Sequence, residues 1–429
     1  MPLPLPKTRE QIAEIQRQRK AIALQSARNS PFHARRLEHV DPYRLEDPAE
    51  WRKIPILEKE ALRAMSDEEF YTQFCLPSPD GIAEYWRSGG STGKPLFYPR
   101  SFLDMQFCML SFQRSFPCIG LGHGERAHVS FPLGIHPAGS MYARAAQAEG
   151  ITVNWAGAGS NTPSALQLQL MKALKPTMWM GMSSYGLHLA NLAEAQGIDL
   201  TAGTVRTVLT TAEPLSDAKR AKLARMWGAD VYDAFGMTEC GLMGAEDGGG
   251  GGFRIWTDMF HIEVLDPDSK EPVPEGEPGL LIVTPLWTNH TTPFLRWNSG
   301  DLVTMRTGTG GHGAFSVFPL VQHAHRTAGF FKVRGVNLNH AEFEDFIFSI
   351  PEILDFKAEA VTSQDDRENL CLSVEIKREA DAAKVMADLV ERVKRTFELT
   401  PVPIQLENGT LAREFESSVK APRFVDLRK

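Results

Sequence analysis

The sequence predicts an α/β protein with a large N-terminal domain and a small α+β domain after it. Short apolar runs alternate with helical patterns between residues 127 and 236, which is typical of mixed or parallel sheets flanked by helices. Between residues 253 and 305 the chain is rich in strands and predicts a β-rich subdomain. From residue 326 strands and helices mix over roughly 100 residues, enough for a separate domain. We therefore expect domains at residues 1–325 and 326–429.

The individual elements follow from hydrophobic periodicity. Residues 8–26 have apolar side chains at helical spacing, which predicts a helix. Residues 31–70 are predicted to form short helices and turns, and residues 101–116 a helix. The alternating region then predicts strands at AHVSF, ITVNWAG, TMWMG, VRTVLTTA and ADVYDAFG, with helices between them. In the last domain, FFKVRG, CLSVEIK and IQLENGTL predict strands, whereas HAEFEDFIFSI and AAKVMADLVERVKRTFEL predict helices.

Composition excludes several classes of function. The 429 residues carry a net charge of −7, so neither nucleic acid nor an anionic membrane is an expected partner. The five cysteines are scattered without a CxxC pair, which favours a reducing cytoplasm over a disulfide scaffold. The first residues lack the pattern of a signal peptide, and no apolar run reaches the roughly 20 residues of a membrane span.

A glycine-rich stretch predicts a phosphate-binding loop. Three hydroxyls, three glycines and a lysine occur together, so the backbone can approach an anion closely while the lysine adds positive charge. The residues are Ser88, Gly89, Gly90, Ser91, Thr92, Gly93 and Lys94. A Walker A loop is excluded, because Ser88 replaces its first glycine and Pro95 its final Ser/Thr. A flexible linker is the alternative.

The same loop resembles that of the adenylate-forming enzymes, and further stretches follow in that family's order. These are TTAEPLS (210–216), YDAFGMTEC (232–240), RWNSGDLV (296–303), RTAGFFKVRGVNLNHAEFED (326–345) and REFESSVKAPRFVD near the end. RNSPFHARRL, WRKIPILEKEALR and KPTMWMGMSSYGLHLA resemble the compact phenylacetate–CoA ligase branch of this family. The resemblance implies an adenylate-forming N-terminal domain and a small mobile C-terminal domain.

The resemblance also implies roles for individual residues. Thr238 and Lys420 hold the α-phosphate, and Glu239 holds Mg²⁺, for which carboxylate oxygen is a suitable ligand. Asp301 accepts hydrogen bonds from both ribose hydroxyls, since a carboxylate has two acceptor oxygens. The other implied nucleotide-binding residues are Ala212, Glu213, Pro214, Asp233, Ala234, Phe235 and Arg326. Three further cofactor-binding residues are implied on the loop that faces the active site in the second half-reaction: Lys332, Arg334 and Gly335. The alternatives are a solvated Glu239, a turn aspartate at 301 and a surface lysine at 420.

A mostly apolar set is predicted to bind the acid. Small residues in this set leave room for a flat ring, so an aromatic or arylacetic acid is expected. The set is Phe131, Ile135, His136, Tyr185, Gly186, Gly236 and Met237. His136 either contacts a polar group of the substrate or is an ordinary loop histidine.

The chain departs from the branch at two places. Ala328 stands where the hinge motif carries an acidic residue, which weakens the case for thioester formation. The cysteines of a metal-like cluster are missing, so we expect no structural zinc, and we expect His312, His323 and His325 to be solvated or loosely packed.

Together these features predict an AMP-forming acid–CoA ligase that uses ATP, Mg²⁺ and CoA. The carboxylic acid, ATP and CoA are its expected small-molecule partners, and a homodimer is the expected oligomer. The first alternative keeps the adenylation but passes the acyl group to the phosphopantetheine of a carrier protein or to an amine. The second is an inactive homologue that binds adenylates.

Overall fold

The structure, a computed structural model, describes residues 3–87, 95–248, 251–308, 313–326, 330–362, 367–417 and 422–428. The chain forms two compact units, each built from three separate segments. Unit 1 comprises Met1–Glu125, Leu133–Thr152 and Tyr232–Arg326. Unit 2 comprises Arg126–Pro132, Val153–Val231 and Thr327–Lys429. The domain division between residues 325 and 326 stays a prediction.

Capping side chains and prolines set the start of many helices. The side chains of Thr8, Ser101 and Ser216 accept hydrogen bonds from backbone N–H groups of the following turn. Pro31 and Pro137 begin two other helices, where a missing N–H costs nothing. In chain order the helices are α1 (Arg9–Ala27), α2 (Pro31–Leu37), α3 (Pro48–Trp51), α4 (Lys59–Arg63), α5 (Asp67–Glu69), α6 (Phe102–Gln113), α7 (Ser115–Cys118), α8 (Pro137–Ala148), α9 (Ser164–Leu174), α10 (Ser183–Ala195), α11 (Asp217–Trp227), α12 (His340–Phe348), α13 (Ala382–Phe397) and α14 (Ala412–Ser417).

The strands include every segment of the alternating region that the sequence predicts to be extended. In chain order they are β1 (Ile82–Arg87), β2 (Phe97–Ser101), β3 (Arg126–Val129), β4 (Thr152–Trp155), β5 (Met178–Gly181), β6 (Thr207–Thr211), β7 (Asp230–Met237), β8 (Gly241–Ala245), β9 (Phe253–Ile255), β10 (Phe260–Leu265), β11 (Gly279–Pro285), β12 (Trp297–Arg306), β13 (Leu320–Arg326), β14 (Phe330–Val333), β15 (Val336–Asn339), β16 (Ile353–Thr362), β17 (Glu368–Ile376), β18 (Val402–Leu406) and β19 (Phe424–Asp426).

Unit 1 is built on an antiparallel sheet with strand order β10-β11-β12-β13-β9-β8-β7. Residues of β11 are buried along the whole strand, as expected where both faces of a sheet are covered. An apolar cluster that includes Leu24, Leu37 and Trp51 joins the first helices to Leu295, which precedes β12. The sheet thereby fixes the β7–β8 turn and strand β12, which carry predicted site residues.

The first part of unit 2 contains a parallel sheet. Strands β3, β5 and β6 pair in parallel, within the order β6-β5-β3-β4. Met178, Trp179 and Met180 of β5 are inaccessible to solvent, so side chains on both faces of this strand are buried. Ala212 and Glu213 follow directly where β6 ends.

The last part of unit 2 is the predicted α+β region. Strands β18, β17, β16 and β19 form one sheet in that order, and β14 pairs with β15 in a hairpin. Helix α13 buries only an apolar stripe, which includes Leu389 and Val393. Across the described part of the chain, no helix combines the length and apolarity needed to cross a membrane.

Candidate active site

A buried arginine fixes the turn that carries Thr238 and Glu239 in unit 1. The Nη2 atom of Arg100 donates to the carbonyl oxygens of Thr238 (2.7 Å) and Glu239 (2.6 Å). Its Nη1 atom donates to the carbonyl oxygen of Thr288 (2.9 Å) and to Oγ1 of Thr292 (3.0 Å). Because a guanidinium holds its donors in a rigid plane, these bonds set the backbone of the turn. No motif in the sequence marks Arg100, although it lies shortly after the phosphate-loop candidate.

The Glu239 carboxylate is buried and held through one of its oxygens. Oε1 accepts a hydrogen bond from the Tyr98 hydroxyl at 3.0 Å, and the Lys59 ammonium lies 3.4 Å from the same atom. Burial, followed by the charge of Glu239, raises the pKa of Tyr98 well above its ordinary value. Tyr98 therefore stays protonated and donates. Both Tyr98 and Lys59 were missed by the sequence analysis.

The free side of Glu239 suits a divalent cation. Its other oxygen, Oε2, accepts no hydrogen bond from the residues that the structure describes. A fixed carboxylate with an available oxygen is the ligand type that Mg²⁺ takes, usually together with substrate phosphates. Within the described ranges, no three His, Cys, Asp or Glu side chains cluster as a metal site of the protein alone. The absence of a structural zinc stays a prediction.

Asp301, the predicted ribose ligand, lies in β12 of unit 1 beside a histidine. Its side chain is buried, and Oδ1 lies 3.2 Å from Nε2 of His323 in β13. The His323 ring also contacts the ring of Phe235, at a centroid distance of 6.1 Å, and Phe235 stacks on Phe253. The prediction that His323 is solvated or loosely packed is therefore wrong, because the pairing of β12 with β13 brings it to a buried carboxylate.

The remaining predicted residues of β7 shape its backbone. The backbone N–H of Asp233 donates to Glu246 at 2.7 Å, and that of Ala234 to Oδ1 of Asp233 at 3.0 Å. A Cβ atom on Gly236 would lie 2.6 Å from the carbonyl oxygen of Gly241, so this position requires glycine. Met237 is half-buried at the end of the strand.

Two predicted acid-binding residues lie just before and at the start of α8 in unit 1. Ile135 is 52% exposed, and its carbonyl oxygen accepts a hydrogen bond from the backbone of Arg87. His136 is half-buried and occupies the N-cap position of α8, directly before Pro137. An apolar side chain this exposed is available to a ligand, whereas most of the unit's large apolar side chains are buried.

In unit 2 the segment after β6 places Ala212 and Glu213 very differently. Ala212 is exposed and has a φ of 73°, a left-handed conformation that costs energy for a residue with a Cβ atom. The carboxylate of Glu213 accepts hydrogen bonds from the Ser183 hydroxyl at 2.7 Å, from the Ser184 hydroxyl at 2.9 Å and from the Ser184 backbone. Pro214 is exposed. The side-chain oxygens of Glu213 are thus engaged by the protein itself.

A buried lysine links Glu213 to helix α12. Nζ of Lys219 lies 3.6 Å from Glu213 and 3.1 Å from Glu344. Burial alone would raise the pKa of Glu213, but Lys219 and the serine donors outweigh it and hold that pKa below its ordinary value. Burial raises the pKa of Glu344. The sequence analysis missed this cluster, which joins residues far apart in the chain.

Three predicted acid-binding residues are buried in unit 2. Phe131 is inaccessible to solvent, and the Tyr185 hydroxyl forms 2.9 Å hydrogen bonds with Ser164 and Gln167. A Cβ atom on Gly186 would lie 3.1 Å from side-chain atoms of Trp179 and Leu223, so a larger residue would be crowded. These residues belong to a packed region, and their contact with an acid stays a prediction.

The hairpin β14–β15 carries Lys332, Arg334 and Gly335. Arg334 and Gly335 form its two-residue turn with φ values of 52° and 82°, as a type I′ turn requires. The Arg334 backbone N–H donates to Glu368 Oε2 at 2.8 Å, and its Nε donates to the Glu368 carbonyl at 2.7 Å. Lys332 and Gly335 are exposed. The turn is therefore tethered to strand β17.

Several predicted residues lie outside the described residues. They are residues 88–94 of the loop, His312, Ala328 and Lys420. The Arg326 backbone pairs with that of Asp301 across β12 and β13, while the side chains of His325 and Arg326 are also outside the described part. The roles predicted for the loop, for Arg326 and for Lys420 therefore stay predictions.

Comparisons with known proteins agree with these features. The family described as AMP-binding enzyme matches residues 13–285. Phenylacetate-coenzyme A ligase of Escherichia coli (strain K12) is 26% identical, with 98% of this chain and 95% of the relative covered. The ligase of the same name from Aromatoleum evansii is 28% identical, with 80% and 76% covered. A 2-hydroxyisobutyryl-CoA ligase structure in complex with 2-HIB-AMP has a TM-score of 0.85 at 21% identity, with 97% of this chain and 90% of that chain covered. The predicted fold class and the resemblance to the phenylacetate–CoA ligase branch are confirmed.

Proposed function

Because the chain belongs to the family of AMP-binding enzymes, we propose that it activates a carboxylic acid with ATP and transfers the acyl group to CoA. A carboxylate oxygen forms a bond to the α-phosphorus, and pyrophosphate leaves. The thiol sulfur of CoA, after losing its proton, then forms a bond to the acyl carbon, and AMP leaves. The names of the relatives confirm this predicted reaction class of an acid–thiol ligase.

The observation that carries the proposal is the turn between β7 and β8. Arg100 fixes the backbone of Thr238 and Glu239, and Glu239 keeps an oxygen without a partner among the described residues. A rigid turn suits phosphate chemistry, because positioning and charge neutralisation supply most of the acceleration. We assign the α-phosphate to the Thr238 hydroxyl, with Lys420 as the second group that holds it.

We propose that Glu239 holds Mg²⁺ together with phosphate oxygens of ATP. The cation neutralises charge on the phosphates. Within the protein, the Tyr98 hydroxyl holds Oε1 of Glu239 and leaves Oε2 for the metal. This arrangement supports the proposal because a ligand that is already fixed loses little entropy on binding.

Further contacts with the nucleotide are proposed residue by residue. In unit 1, Asp301 binds the ribose, and Phe235 lies beside the base. In unit 2, we propose that Ala212 and Pro214 contact the nucleotide through backbone atoms, because the Glu213 carboxylate is occupied by Ser183, Ser184 and Lys219. The loop at 88–94 is proposed to bind the β- and γ-phosphates.

We propose that the acid is aromatic or arylacetic. Relatives named phenylacetate-coenzyme A ligase support this class, and the exposed Ile135 offers apolar surface to it. A short hydroxy acid is the specific competitor, because the ligase structure with the TM-score of 0.85 is named for 2-hydroxyisobutyrate. The carrier-protein acceptor, the homodimer and the cytoplasmic location stay predictions.

A pyrophosphate-release assay tests the function. Purified protein receives Mg-ATP and one acid from a panel of benzoic, arylacetic and short hydroxy acids, with and without CoA. We expect an arylacetic or benzoic acid to release pyrophosphate and CoA to increase the rate. Lys420→Ala should abolish that activity, whereas Lys384→Ala, at an exposed site on α13, should not. No release with any acid, despite ATP binding, would contradict acid activation.

A further inference from the structure

His323 reaches Asp301 because the ladder between β12 and β13 is irregular. Asp301 is opposite Arg326 and Leu302 is opposite His325, but Val303 is opposite His323 rather than Ala324. One extra residue is therefore inserted in β13, which is the pattern of a β-bulge. In a regular ladder His323 would face Thr304 and lie on the other side of the sheet. The bulge instead places His323 on the same side as Asp301.

Two neighbours define the surroundings of the His323 ring. Nε2 lies 3.2 Å from Oδ1 of Asp301, and an ionised carboxylate can only accept, so Nε2–H donates. The Phe235 ring lies against the imidazole at a centroid distance of 6.1 Å. The Asp301 side chain is 3% exposed and the His323 side chain 24% exposed, so the ring lies between a buried carboxylate and solvent. A merely solvated histidine would not combine these contacts.

We propose that His323 is a positioning residue for the ribose of the nucleotide, an inference that rests on the proposed function. Its hydrogen bond to Oδ1 adds a constraint on the rotation of the Asp301 carboxylate about its terminal torsion. This constraint favours the orientation in which the carboxylate accepts from the ribose hydroxyls. Contact with Phe235 holds the imidazole in the orientation that this bond needs.

This role is isolated by comparing how protein variants bind two nucleotides, one with and one without the ribose hydroxyls. Dissociation constants for ATP and for 2′,3′-dideoxy-ATP, which lacks both hydroxyls, are measured by calorimetry on the full chain. We expect His323→Leu to weaken ATP binding about tenfold, the usual scale of a lost hydrogen bond to a charged group. Binding of the dideoxynucleotide should change little. His323→Gln, whose amide can replace Nε2–H, should recover most of the ATP affinity.

Gln322→Leu is the matched control, because Gln322 is the preceding, exposed residue of β13 and faces Thr304 on the opposite side. It should leave both nucleotide affinities unchanged. Thermal unfolding of each variant shows whether the fold is intact. Equal losses for ATP and the dideoxynucleotide in His323→Leu, or no rescue by His323→Gln, would overturn the positioning role.

The experiment also separates this inference from the proposed function. Asp301→Asn should weaken ATP binding more than His323→Leu, because it changes the ligand of the ribose itself. If Asp301→Asn acts as expected while His323→Leu binds ATP like the unaltered protein, only the role of His323 is overturned. If the unaltered protein binds ATP no better than the dideoxynucleotide, the ribose site and this inference both fail.

Discussion

Two glutamates, Glu239 in unit 1 and Glu213 in unit 2, were both predicted to serve the nucleotide site, yet their surroundings differ. Glu239 is held at Oε1 by a neutral donor, Tyr98, and by Lys59, a third of whose side chain is exposed. Glu213 accepts from Ser183 and Ser184 and lies beside Lys219, which is 3% exposed. Glu239 keeps one oxygen without a partner among the described residues, whereas both oxygens of Glu213 accept hydrogen bonds from the protein.

The hydrogen-bond partners of the two glutamates distinguish a carboxylate that can bind a ligand from a structural one. Exposure alone would suggest the reverse assignment, since the Glu213 side chain is 23% exposed and the Glu239 side chain 7% exposed. The useful measure is how many of the acceptor positions are already filled by the protein. By that measure Glu239 suits a cation, whereas Glu213 links the end of β6 to α10 and α11.

The largest effect is expected from Lys219→Met in unit 2. The substitution leaves Glu213 and the buried Glu344 without their shared cation, so the unfolding free energy should fall by about 3–5 kcal/mol. Urea unfolding followed by tryptophan fluorescence measures the change. Lys384→Met, at an exposed site of α13, is the control and should change little. Adding Glu344→Gln should recover part of the loss; a mild effect of Lys219→Met would mean that solvent reaches the cluster.

At Glu239 we expect a substitution to reduce activity without reducing stability. Glu239→Gln keeps the hydrogen bond from Tyr98 but removes the charge that faces the cation. Adenylation should therefore slow by about 100-fold, a typical cost for a group that stabilises charge at an active site. Pyrophosphate release measures it, and Glu271→Gln, at an exposed ion pair of unit 1, should stay near the original rate. Unchanged release would remove Glu239 from the proposed site.

Both units should lose stability in mild acid. Burial lowers the pKa of His128 in unit 2 to about 4 and that of His33 in unit 1 to about 3. Because the unfolded chain protonates first, at its ordinary pKa of 6.5, stability should fall as pH drops below that value. Each histidine should contribute about 1 kcal/mol per pH unit until its folded pKa is reached.

The pH prediction is checked by unfolding curves at about pH 6.5 and about pH 5. His128→Gln should reduce the difference between the two unfolding free energies by the share of one histidine. His123→Gln, at an exposed position shortly before β3, is the matched control. An unaltered pH dependence in His128→Gln would show that His128 is not protonated more easily on unfolding.

The smallest effect is expected at Lys59. Lys59→Met removes an ammonium 3.4 Å from Glu239, so the carboxylate should bind Mg²⁺ about threefold more tightly in the presence of a nonhydrolysable ATP analogue. Because Lys59 is partly exposed, the stability change should stay below about 1 kcal/mol. Calorimetric titration measures the binding, with Lys53→Met as the control. Weaker Mg²⁺ binding would show that Lys59 orients Glu239 rather than opposing the cation.

The fold was predictable to the extent that it follows local patterns. The strands β3 to β7 and the helices between them alternate with clear periodicity, and all of them are present. The packing of Arg100, Tyr98 and Lys59 around Glu239 was not predictable, because it depends on contacts between segments far apart in the chain. The same holds for Lys219 and Glu344, which are separated by more than a hundred residues.

At the candidate site, it was easier to predict which residues are important than which contacts each of them makes. The motif resemblance identified Glu239, Asp301 and Glu213 as important but could not tell which carboxylates the protein itself occupies. His323 was misjudged because its position depends on the β-bulge, and a single extra residue in a strand leaves no clear mark in the sequence. Hydrogen-bond saturation and strand register are both three-dimensional properties.

The interrupted segments of the two units bear on how the chain folds as it is synthesised. When residue 231 has left the ribosome, unit 1 still lacks Tyr232–Arg326, and unit 2 still lacks Thr327–Lys429. Neither unit can complete its core at that moment, and the apolar cluster of the first helices still lacks Leu295. Newly made chains should therefore pass through a long aggregation-prone interval, in which a chaperone raises the yield.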